Sequence, residues 1–322
     1  MTKEGTVLLS VSSTMHLMVD GLCLCCLYLT VSSFTTNGIL SVFLLYNILA
    51  FMSQPLTGMM VDRLTHRHWL LLWSLVLLTL GVLVSLSLPL WTFSSSLCLI
   101  VAVLLGIGNS LFHVWGGKQV VLTTNNDIRA LGVFVSTGAM GLAVSVVFFS
   151  WSLLCFFLLA LCLLASTYLH VEGRMKEGVL QGETSNIRHF SLTFVLLSVV
   201  AIMVIVGFRS YVGETFSSPL VKNSTVILLI GFVSMMGKML GGWLVRWMGM
   251  ITAVIVILLT VACCIAFRHV DNVILLLGLL AINCTMPITL YLSNVVLKGH
   301  EGLSFGLLAA ALIPVRRPVV LS

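Results

Sequence analysis

Runs of about twenty apolar residues follow one another along almost the whole chain, separated by short polar turns, and this repetition limits the fold more than any single motif does. A hydrocarbon core about 30 Å thick is crossed by a helix of roughly 20 such residues. The runs fall near 8–30, 38–60, 69–88, 97–117, 129–149, 151–169, 191–211, 223–246, 250–267 and 271–293, which reads as ten full spans, with a further apolar stretch after Gly302. Barrel strands would instead alternate over about ten residues. No such segments occur in the sequence.

Charge closes off the soluble classes. Only 8% of the 322 residues are charged, 59% are hydrophobic, and the mean hydropathy is +1.17. A water-facing surface takes about 25% charged residues. The formal net charge of +6 is spread out with no basic run to track phosphates, which argues against a nucleic-acid binder. The first run carries His16 and Asp20 in its middle and no cleavage-like site, so it reads as a retained span, not a secretory leader. All nine cysteines fall inside spans, without metal-ligand spacing, and read as small packing residues.

One polar stretch interrupts the pattern, from Val171 to His189. It suggests an N-terminal six-helix bundle over 1–170, a linker over 171–190 and a second, shorter bundle over 191–322. With the N-terminus in the cytosol, the inner segments hold Lys3, Arg63, Arg67, Arg129, Arg174, Lys176, Arg188, Arg246 and Lys298, against Lys222 and Arg268 outside. That asymmetry places the N-terminus, the linker and the turn after span 2 in the cytosol.

The turn after span 2 reads Gly58-Met-Met-Val-Asp62-Arg63-Leu-Thr-His66-Arg67. Glycine allows close helix approach, the acid sits near a helix end, and the basic residues stay at the cytosolic surface. In the second half, Gly237-Lys238-Met-Leu-Gly241-Gly242-Trp-Leu-Val-Arg246 repeats the glycine-rich helix end, and setting Gly242 on Gly58 puts Arg246 where Asp62 stands. Gly237 and Gly241 also form a small-xxx-small packing pattern.

Span 1 holds His16 and Asp20, four residues apart and so on one helical face. A mid-bilayer aspartate costs about 2.5–3.5 kcal/mol on insertion scales, which favours a functional pair over a structural hydrogen bond to a neighbouring helix. Span 4 ends Gly106-Ile-Gly108-Asn109-Ser110-Leu-Phe112-His113-Val-Trp115-Gly116-Gly117-Lys118. There His113 reads as a cavity residue and Lys118 as a side chain snorkelling to the cytosolic surface. Its glycines do not follow a strand, so a nucleotide-cradling loop is not expected. Arg209, about 27 Å along span 7, either reaches the outer headgroups or faces the cavity.

The Asp62-Arg63 turn, with the glycine before it and the basic residue after it, resembles the signature loop of the major facilitator superfamily. His16/Asp20 in helix 1, Phe112-His113 in helix 4 and Arg209-Ser210 in helix 7 are similar to its fosmidomycin-resistance branch. The resemblance implies an all-α polytopic membrane protein of two six-helix repeats, the second truncated, with about ten full spans and a partial eleventh. It implies proton-driven efflux of small compounds across a cell (inner) membrane. Asp20 and His16 are then expected to couple protons, His113, Arg209 and Asn109 to bind a polar or anionic substrate, and Gly58, Asp62, Arg63 and Arg67 to form a gating loop.

No cofactor, bound metal or nucleic acid is expected; the partners are the substrate, protons and lipid. Two rival classes stay open. A membrane-embedded enzyme would use His16, Asp20 and His113 as metal ligands or acid–base groups, but the chain has no HExxH pattern or nucleophile elbow. A non-transporting sensor or degenerate remnant is kept open by the short second half. There, Gly302 to Val315 is apolar for only 14 residues, about 21 Å of helix, before Arg316 and Arg317.

Overall fold

The structure is a computed structural model that describes residues 3–31, 36–64, 68–87, 95–173 and 191–312. These residues form helices α1 (Lys3–Val31), α2 (Thr36–Asn47), α3 (Gln54–Arg63), α4 (His68–Ser87), α5 (Ser95–Thr123), α6 (Ile128–Phe148) and α7 (Trp151–Glu172). After the linker come α8 (Leu192–Ser217), α9 (Ser224–Met248), α10 (Met250–Ala266), α11 (Asn272–Asn283), α12 (Thr285–Val296) and α13 (Glu301–Ala310). Linker residues 174–190 and the expected break around Arg316 and Arg317 lie outside the described residues.

Among the described residues nine helical segments are long and apolar enough to cross a membrane, and Met250–Ala266 and Glu301–Ala310 are shorter apolar helices. Two of the expected spans are broken helices. Between α2 and α3 a π-turn, Ile48–Met52, is closed by Ser53 N–H donating to the Ile48 carbonyl at 3.1 Å, just before Pro55, whose missing N–H prevents a regular ladder. Between α11 and α12 the chain bends at Cys284, three residues before Pro287.

Packing falls into three apolar clusters. One gathers α1–α5 and α7 around Met15, Leu78, Trp115 and Tyr168. A second joins α8, α10, α11 and α12 around Phe216, Ile257 and Leu279. The third, around Leu131, Phe134, Val206, Leu290 and Phe305, draws on both sides of the linker and holds the two halves together. Outer faces carry exposed Leu44, Trp73, Leu163, Leu197, Trp247 and Ile251, an arrangement that suits a hydrocarbon surround and not water. Six cysteines are buried among the helices, as expected of packing residues; Cys155, Cys162 and Cys263 instead lie exposed on outer faces.

Small residues set where the helices touch. On α6, Gly138, Gly141 and Ser145 form one stripe against α1, and Ser145 Oγ donates to the Gly21 carbonyl at 2.7 Å while Thr137 Oγ1 donates to the Ser13 carbonyl at 2.6 Å. A Cβ at Gly58 would stand 2.7 Å from the Gly302 carbonyl carbon, so the end of α3 lies on the start of α13. The second-half counterpart does the same: a Cβ at Gly242 would stand 2.6 Å from the Ile128 carbonyl oxygen, so the end of α9 lies on the start of α6. The repeated glycine therefore marks the same crossing twice, each time between the two halves.

Candidate functional site

Three ionisable side chains converge where α1, α5 and α6 meet. His16 and Asp20 come from successive turns of α1, and His113 reaches them from the middle of α5, because α5 continues as helix to Thr123. Asp20 Oδ2 lies 3.3 Å from His16 Nε2 and Asp20 Oδ1 lies 3.3 Å from His113 Nε2. The two Nε2 atoms are 2.9 Å apart, with the rings nearly perpendicular at 89°. All three residues are buried.

The backbone fixes which nitrogens carry hydrogen. His16 Nδ1 is 2.7 Å from the Phe134 carbonyl and His113 Nδ1 is 3.0 Å from the Asn109 carbonyl. A carbonyl only accepts, so each Nδ1 must donate. Both Nε2 atoms are then left to face each other and the carboxylate. Two bare lone pairs 2.9 Å apart repel, so the cluster is a place where a single positive charge, set beside the carboxylate, would relieve that repulsion.

Asn109 stands at the edge of this cluster. Its Nδ2 donates to the Tyr46 hydroxyl at 2.9 Å, with Asp20 Oδ1 a longer 3.4 Å away, while its Oδ1 is buried with no hydrogen-bond partner among the described residues. Gly138 of α6 faces the same cluster: a Cβ there would be 2.7 Å from His16 Nε2 and would overlap Asp20 Oδ2. Phe134 and Phe112 flank the His16 ring at 4.9 and 6.3 Å between centroids.

Arg209 lies inside the bundle and does not reach outward: it is only 7% exposed, and its Nη1 donates to the Met286 sulfur of α12. A thioether is a weak, neutral acceptor, and no carboxylate pairs with this guanidinium among the described residues.

The turn after α3 forms a second constellation. Asp62 accepts from the backbone N–H groups of Gly302 at 2.9 Å and Leu303 at 2.8 Å, capping the start of α13 from the other half of the chain. Lys118 Nζ meets the same carboxylate at 2.7 Å and is buried. The expectation that Lys118 snorkels to the surface is therefore wrong: α3 brings an acid to it inside the protein, and the pair satisfies both charges there. Arg63 is exposed and Arg67 lies outside the described residues. Arg246, exposed on α9, makes no equivalent cap among the described residues. At that crossing Asp127 caps its own helix by accepting from Arg129 N–H at 2.9 Å, and Arg129 lies 5.4 Å over the Trp243 ring.

Of the residues singled out in the sequence, the structure brings His16, Asp20, His113 and Asn109 together and leaves Arg209 buried elsewhere. The sequence analysis misses Tyr46 and Gly138 as neighbours of that cluster. The small-residue stripe of α6 is a usable signal for Gly138; Tyr46 leaves none.

The family model described as Major Facilitator Superfamily matches residues 8–312. Among solved structures, one of the E. coli fucose:proton symporter FucP aligns with a TM-score of 0.63 at 14% identity, covering 94% of this chain and 87% of that one. FucP in an outward conformation aligns at 0.64 and 15%, over 96% and 89% of the two chains. A bacterial homologue of the iron transporter ferroportin, outward-facing, aligns at 0.59 and 15%, over 96% and 89%. No curated protein matches.

Proposed function

The chain belongs to the major facilitator superfamily, and on that premise we propose that it is a proton-coupled secondary transporter, resembling the fosmidomycin-resistance branch, that exports small polar or anionic compounds by alternating access. Membership supports reading it as a multi-pass membrane transporter rather than an enzyme; what the cluster on α1 and α5 does is the proposal.

One observation carries it: the His16–His113 contact at 2.9 Å, with both Nδ1 atoms committed to carbonyls, accommodates one proton and leaves Asp20 as its counter-ion. Removing that proton would leave a buried carboxylate with no compensating charge, which a low-dielectric interior penalises heavily. Such a change is felt on α6, whose Phe134 carbonyl holds His16, and α6 also abuts α9 of the other half at Gly242. Protonation can thereby bias how the halves sit, which is what coupling requires.

Arg209 supports the anionic reading, since a buried guanidinium whose one hydrogen bond among the described residues goes to a thioether has binding capacity to spare for a carboxylate or phosphonate. His113 and Asn109 would line the same route. The turn of Gly58, Asp62 and Arg63, with Arg67, would act as the cytosolic gate. Closure at the Asp62 end corresponds to access from the opposite side, with the N-terminus and linker in the cytosol of an inner membrane.

The test is accumulation of small anions, phosphonates first, in proteoliposomes under an imposed pH gradient. Accumulation should collapse with a protonophore and in Asp20→Asn, which keeps the side-chain shape, while Asp20→Asn still inserts. Uptake indifferent to both would reject proton coupling at this site.

A further inference from the structure

We propose that His16, Asp20 and His113 also form a binding site for a divalent first-row transition-metal ion, of the borderline class that includes Zn²⁺ and Co²⁺. The proposal uses the same residues as the proton-coupling reading, but its geometry and its test stand apart from transport.

The ligand atoms are already disposed as the edges of a coordination polyhedron. The Nε2–Nε2 edge is 2.9 Å, and the carboxylate presents a different oxygen to each ring, Oδ2 at 3.3 Å from His16 Nε2 and Oδ1 at 3.3 Å from His113 Nε2. An ion with bonds of about 2.0–2.2 Å to nitrogen and oxygen has adjacent donors about 2.9–3.5 Å apart, so an ion held by the two Nε2 atoms has a carboxylate oxygen at bonding range beside each ring and can take one or both of them. The three residues meet the distance requirement for a shared ion and are all buried.

Three independent features fit the chemistry. First, each histidine donates its Nδ1 hydrogen to a main-chain carbonyl, Phe134 for one and Asn109 for the other. This fixes the tautomer that presents Nε2 as a ligand, which is how supporting hydrogen bonds orient metal-bound histidines. Second, Gly138 lets α6 pack directly against His16 Nε2 and Asp20 Oδ2, where any side chain would overlap the ligand atoms. Third, Asn109 Oδ1 is a buried acceptor at the rim of the cluster with no partner among the described residues, placed to receive a hydrogen from a metal-bound water.

Donor identity sets the class of ion. Two imidazoles and one carboxylate favour Zn²⁺, Co²⁺, Fe²⁺ or Ni²⁺ over Mg²⁺ and Ca²⁺, which take oxygen ligands.

The full chain, purified in detergent with any affinity tag removed, is titrated with Co²⁺ alone while its visible d–d absorption is followed, and X-ray absorption at the cobalt edge reports the ligands. One equivalent should bind with scattering from two imidazoles. His16→Gln and His113→Gln should each weaken binding more than about 100-fold, beyond the loss expected of a merely supporting hydrogen bond. His269→Gln, at an exposed histidine in the turn between α10 and α11, should leave it unchanged. The wild-type X-ray spectrum needs no variant to fold. Lack of one-equivalent binding, a spectrum without imidazole scattering, or binding that persists in both variants overturns the site. Because the probe is the metal alone, proton-driven transport can fail its own test with this result intact, and the reverse.

Discussion

Lys118 of α5 and Asp62 of α3 form a buried ion pair, 2.7 Å long, at the point where α13 of the other half begins. The carboxylate serves three donors at once: the ammonium and the backbone N–H groups of Gly302 and Leu303. It therefore joins the two halves at one end of the bundle.

Removing the charge should open that end. Breaking a buried pair by deleting one partner costs about 3–5 kcal/mol, because the other charge is left without compensation. In Asp62→Asn, a cysteine placed at buried Ser304 should react with a thiol reagent at least about tenfold faster than in the parent. Adding Lys118→Met, which removes the stranded ammonium, should restore part of the protection. Equal reaction rates in the parent and Asp62→Asn would show that the pair does not hold the halves together.

Two glycines should respond in opposite senses to alanine. At Gly58 the new Cβ would stand 2.7 Å from the Gly302 carbonyl carbon and 2.8 Å from Leu303 Cα, both backbone atoms, so α3 and α13 must separate. Gly213, within α8, has nothing within 4 Å of its Cβ position. Gly58→Ala should lower the thermal unfolding temperature in detergent. Gly213→Ala should raise stability by about 0.5–1 kcal/mol, the usual gain for a helix interior. The reverse order would contradict the packing at α3.

Sidedness follows from the lysine and arginine distribution. Cysteines at Ser185, in the linker, and Asn272, at the start of α11, should label from opposite faces of the membrane, Ser185 from the cytosol. Labelling of the Ser185 site in intact cells by an impermeant reagent would invert the topology.

Asp127 gives a pH dependence with a defined sign. Its hydrogen bond to the Arg129 side chain holds the carboxyl below the usual range, and it caps α6. A lowered folded-state value means its contribution is complete above about pH 4, the ordinary carboxylate value, and fades as pH falls further. Asp127→Asn keeps a good cap but cannot titrate, so its stability should fall less steeply in acid than that of the parent. Parallel acid profiles would remove Asp127 from the account.

The amino-acid sequence by itself determined the class of fold, the sidedness expected of it, and the glycine-marked turns at Gly58 and Gly242. These depend on composition and on spacing within one segment, and a bilayer turns such local properties into helices directly. It also put His16 beside Asp20, because residues four apart on a helix share a face whatever surrounds them. His113 could be singled out as costly to bury, yet its distance from that pair depends on how α5 lies on α1, and no periodicity encodes that. Gly138 and the Phe134 carbonyl reach His16 only because small residues let α6 press against α1. Lys118 shows the limit most plainly. A long cation near a helix end has two satisfactory solutions, water or a buried acid, and only the tertiary structure, by carrying Asp62 to within 2.7 Å, decided between them.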